Sequence, residues 1–175
     1  MNAPFHSFRA AARLRMAGVV SLAALAVLGG VALAAQPKAG AHYKGKGKFC
    51  ENNAPQHKFT TCPGNKNKFS FATSADATRV TGFKGKLGPL YCGGSKQTVK
   101  VTFMTVKSDG SFAFTFSAPN KVNGKTNGTT TVTVKGRFKG DGTTASVFYR
   151  AVTHFNNTPH TQDCGGQVKG TANAS

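Results

Sequence analysis

From Lys68 to near its C-terminus, this chain places apolar side chains at every second residue. Phe69 and Phe71 share one parity, as do Val99, Val101 and Phe103. The pattern returns in Phe112, Phe114 and Phe116, in Val132, Val134 and Phe138, and in Val147, Tyr149 and Ala151. Successive residues of a strand face opposite sides of a sheet, so such runs read as half-buried β-strands, and their β-branched and aromatic content agrees. Ser108-Asp109-Gly110 and Gly140-Asp141-Gly142 each separate two runs and predict hairpins. Asn123-Gly124 and Asn127-Gly128 predict a longer, looser connection. The expected fold is all-β: a single antiparallel meander of about eight strands, closed as a barrel or folded as a sandwich. A long open sheet would leave exposed edges, which favours closure.

The N-terminus reads differently. Arg9, Arg13 and Arg15 precede an apolar run over residues 16–35 that ends in Ala32-Leu33-Ala34. This is the pattern of a secretory signal peptide, with cleavage expected after Ala34 or Ala35. The run is long enough to cross a bilayer as an uncleaved anchor, but its Gly29-Gly30 pair and Ala-x-Ala end favour cleavage. No later segment is apolar enough to span a membrane. The expected organisation is a signal peptide over residues 1–34, an irregular basic arm with a disulfide loop over 35–66, and the antiparallel β domain over 67–175. The arm is rich in Gly, Pro, Asn and Lys, with room for one short strand near residues 41–49.

Four cysteines, Cys50, Cys62, Cys92 and Cys164, follow the leader, with no CxxC among them. In an exported chain they are better read as two disulfides than as a zinc site. Three connectivities are possible. Cys50–Cys62 with Cys92–Cys164 is favoured, because the first pair shares the arm and the second carries a repeated Cys-Gly-Gly triplet.

Catalytic chemistry has little to work with. The only acids are Glu51, Asp76, Asp109, Asp141 and Asp163. Asp76, Asp109 and Asp141 fall in turns, so no carboxylate pair is placed to face across a cleft, as glycoside hydrolysis requires. His154, His160 and Asp163 gather in one segment, but their spacing matches no ligand motif, and the segment reads as a solvated loop. No Gly-x-Ser-x-Gly elbow is present. The chain is therefore expected not to be an enzyme and to need no cofactor or metal.

Charge is the positive signal. Of 23 Lys and Arg, three lie in the leader, leaving twenty against five acids and a net charge of +15. Lys and Phe are often neighbours, as in "NKFSF" and "GRFKG". Interleaving of this kind is found in single-strand nucleic-acid platforms. Strand geometry instead sends the two residue types to opposite faces, with Phe in the core and Lys outside, so no specific nucleic-acid motif is read here. The Lys-Gly-Lys stretches single out Lys44, Lys46, Lys48, Lys84 and Lys86 as candidates for an anion-binding surface.

"FSFATSADATRVTGF", "DGSFAFTF", "VKGRFKGDGTTAS" and the terminal "DCGGQVKGTA" resemble a group of small secreted β-rich proteins from high-GC, actinobacterial-type bacteria. That group has a signal peptide and a cysteine pair near the fourth-last and last strands, and no assigned activity. The resemblance implies the fold and export. The functional expectation is a secreted, non-catalytic β-domain whose basic surface binds anionic cell-envelope polymers or polysaccharide. The alternative is a calycin-like barrel holding a small apolar ligand.

Overall fold

The computed structural model describes residues 35–53, 58–62, 64, 66–88, 96–156 and 163–175. Residues 1–34, where a signal peptide is expected, and Cys92, His57 and His160 lie outside the described residues. Among the described residues nine strands follow one another: β1 His42–Asn53, β2 Lys58–Thr61, β3 Lys66–Thr73, β4 Arg79–Leu87, β5 Gln97–Thr105, β6 Ser111–Val122, β7 Lys125–Lys139, β8 Thr144–Phe155 and β9 Asp163–Ala174. Eight of them form one antiparallel sheet in the order β5-β4-β3-β1-β9-β8-β7-β6, and the short β2 pairs with β1 alone. No helix occurs among the described residues.

The sheet curls into a barrel that is nearly closed, and the sandwich alternative falls away. First and last strands pair along their length, from Tyr43↔Ala174 to Glu51↔Gly166. The seam lies in mid-chain, between β5 and β6. There the Lys107 N–H donates to the Ser111 carbonyl, and one bridge joins Val106 to Phe112 before the strands part.

Inside, aromatic rings fill the barrel. Tyr43 stacks on Phe71 with centroids 4.8 Å apart, and Phe138 meets Tyr43 edge-on. Phe69, Phe83 and Tyr149 pack as a second group around them. An eight-stranded barrel is just wide enough to be filled in this way.

Several expectations change. The short strand expected near residues 41–49 of the arm is longer, β1 His42–Asn53, and sits mid-sheet between β3 and β9. Its inward positions alternate Tyr43, Gly45, Gly47 and Phe49, so glycines interrupt the apolar signal while the backbone remains fully paired. Period two puts Phe103 on the inner face with Val99 and Val101, but it is 55% exposed and lies under the Arg79 guanidinium. A bulge at Gly82, with φ +59°, shifts the β3–β4 register. The inward positions accordingly change parity between Val80 and Phe83, and β5, paired in unbroken register with β4, changes parity with it. Phe116 is 56% exposed because β6 has left the seam by that point. Asn123 and Gly124, both at positive φ, make the tight turn between β6 and β7, whereas Asn127-Gly128 lies inside β7 beside a bulge.

Candidate anion-binding face

The outer surface of β9, β1, β3, β4 and β5 is built by period two. On β1, Lys44, Lys46 and Lys48 point out while Tyr43 and Phe49 are buried. On β3, Lys66 and Lys68 point out, with Phe69 and Phe71 inside. β4 contributes Lys84 and Lys86, β5 contributes Lys100, and β9 contributes Lys169, all exposed.

Strand register sorts these nine lysines into three rows running across the strands. The first joins Lys169, Lys48 and Lys66. The second runs from Thr171 through Lys46 and Lys68. It continues to Lys86, which follows Lys84 in the register Phe69↔Gly85 and Ser70↔Lys84, and ends at Thr98. The third runs from Asn173 through Lys44, Ser70 and Lys84 to Lys100. Neighbours in a row stand about 4.8 Å apart between strands, and rows lie about 6.8 Å apart along them. Lys46–Lys68, Lys48–Lys66, Lys48–Lys169 and Lys84–Lys100 therefore place like charges directly opposite, and the continued β3–β4 register sets Lys86 opposite Lys68. Such exposed pairs are unfavourable, by about 0.3 kcal/mol each.

No acid relieves them. Asp76, Asp109 and Asp141 are all held in turns. The Ser74 hydroxyl, then the Thr78 N–H, drive the Asp76 carboxyl down to about 2. The Ser111 hydroxyl and N–H, together with Arg137, lower Asp109. The Thr143 hydroxyl and N–H lower Asp141. Glu51 is buried near the end of β1. Asp163 begins β9, six residues from Lys169 (about 20 Å along the strand), and its Oδ1 lies 2.6 Å from His154 Nδ1.

An open groove of about 810 Å³ crosses this face between the second and third rows. Its sides are the two rows and its floor is the inward-facing backbone of Gly45, Phe69 and Gly85. A smaller depression of about 300 Å³ lies beyond the third row, where only Lys44 and Lys84 carry charge beside His42.

All five lysines singled out from the sequence belong to the array. Lys66, Lys68, Lys100 and Lys169 were missed. Lys66 and Lys68 carry the same period-two signal, and assigning β3 as the neighbour of β1 would have found them. The Cys50–Cys62 disulfide ties β1 to the residue after β2. Cys164 is also disulfide-bonded. Of the histidine cluster, His154 and Asp163 come together, and no group of three metal-ligating side chains occurs among the described residues. No protein-family model matches the chain, and no curated protein matches it.

Proposed function

We propose that the chain is exported, loses its leader, and acts without catalysis by holding anionic polymers of the cell envelope against the β9-β1-β3-β4-β5 face. The observation that carries this reading is the registered array of nine lysines with no acid among them. Opposed like charges lower the stability of the free protein, and a dense polyanion turns that repulsion into binding. The aromatic packing of the interior weighs against the small apolar ligand, since rings take up the space it would need. The test is retention of the secreted chain on an immobilised polyphosphate or sulfated-polysaccharide column. Retention at low salt and release by salt, with log K falling linearly in log[salt], are the expected results. Passage through the column at low salt would overturn the reading.

A further inference from the structure

We infer that the seat within this face is the groove between the second and third rows, and that it takes a single unbranched phosphate chain lying across the strands. This rests on the polyanion reading above and narrows it to one site and one ligand class.

The groove runs from Thr171 and Asn173 on β9 to Thr98 on β5, four strand spacings or about 19 Å. Its walls stand about 6.8 Å apart, the width of one extended chain rather than of a duplex or a flat membrane. Between the walls nothing rises above the backbone, because the floor positions face inward and two of the three are glycine. Lys46, Lys68 and Lys86 form one wall, with Lys44 and Lys84 in the other. A charge every ~5 Å along the chain therefore meets about one lysine of the nearer wall.

The side chains select the ligand class. All the charges are lysines, which act as compact point charges and accept phosphate without the planar fork that arginine imposes. The one aromatic in the groove, Phe69, is buried, so a base or sugar ring finds no surface on which to stack. Hydroxyls of Thr98, Ser70 and Thr171 can donate to phosphate oxygens. The fit is to a ring-free phosphate chain, either a polyol phosphate or inorganic polyphosphate.

The decisive comparison uses two triple variants of equal charge. Lys46→Ala/Lys68→Ala/Lys86→Ala removes a groove wall, while Lys48→Ala/Lys66→Ala/Lys169→Ala removes the row outside it. Binding is read by fluorescence polarisation with end-labelled inorganic polyphosphate, with poly(glycerol phosphate) and with an oligothymidylate of matched charge. The wall variant is expected to lose at least about 30-fold in affinity, and its slope of log K against log[salt] should flatten by about 2. The outer-row variant should lose no more than a few-fold and keep its slope. The tighter of the two phosphate chains identifies the source. Equal losses in both variants would overturn the groove while leaving general polyanion binding standing. Tighter binding of the oligothymidylate would overturn the ring-free class. Failure of the unaltered protein to bind any of the three would defeat the parent reading as well. Each substitution removes like-charge repulsion, so all variants are expected to fold, which circular dichroism checks.

Discussion

A Cβ on Gly85 would stand 2.7 Å from both Cε2 and Cζ of Tyr149, closer than real side chains approach. Gly45 is in the same position under the Phe69 ring, and Gly47 under Val168. The Lys-Gly-Lys texture thus has two causes at once. Its lysines face out to form the array, and its glycines face in to admit side chains from adjacent strands or, for Gly85, from β8 across the barrel. Tyr149 is fixed further by donating its hydroxyl to the Lys86 carbonyl at 2.7 Å, and burial pushes that hydroxyl's pKa up. Gly85→Ala must displace this ring from a packed barrel and is expected to cost about 1–3 kcal/mol. Urea unfolding would show it as a lower midpoint at unchanged slope. An unchanged midpoint would mean that the ring moves freely and that the glycine serves some other purpose. The sequence does not show what these glycines admit, because the residues that fill their places lie as far as 121 positions away.

Strands were legible where apolar residues hold the inward parity and obscure where they do not. β8 has Val147, Tyr149 and Ala151 inside and was read correctly. β1 has two glycines among its inward positions, so its regularity shows in the outward lysines instead, and the sequence suggests only a short strand near residues 41–49 within an irregular arm. A bulge is harder still to foresee: Gly82 reverses the facing of β4 and carries Phe103 out with it. The open edge of β6 shows how one residue can guard an element. Ser111 accepts from Lys107 across the seam, and the register with β7 is unbroken from Ser111 to Asn120. Odd-numbered residues of β6 therefore turn their backbone groups toward the seam, and Pro119 is one of them, with no N–H to offer. Proline at such a place blunts an edge that could otherwise recruit another strand. Pro119→Thr restores the donor beside the exposed Phe116 and Val122. Light scattering of the variant at high protein concentration is expected to show dimers or larger species. If it stays as monodisperse as the unaltered chain, the proline does not protect the edge.

At the scale of the molecule, the array keeps its lysines apart from the acids. Nine of the twenty basic residues beyond residue 34 occupy one face, while three of the five acids are held in turns by Ser and Thr hydroxyls. Such a distribution favours a partner over the isolated fold. Self-repulsion on the array should therefore appear as a salt dependence opposite in sign to that of polyanion binding. Raising salt from ~20 mM to ~500 mM contracts the screening length from about 20 Å to about 4 Å, below the spacing of most array charges. The melting temperature of the free chain is expected to rise by about 4 °C, corresponding to the roughly 1 kcal/mol held in the opposed pairs. Lys46→Ala/Lys68→Ala/Lys86→Ala should start higher and rise less, because it has lost the Lys46–Lys68 and Lys68–Lys86 oppositions and weakened the field on its neighbours. Saturating polyphosphate at low salt should raise the melting temperature of the unaltered chain by preferential binding to the folded state. Scanning calorimetry across the salt series separates these cases. Parallel salt curves for the two chains would place the repulsion outside the array, whereas a flat curve for both would show that the barrel tolerates its charge without strain.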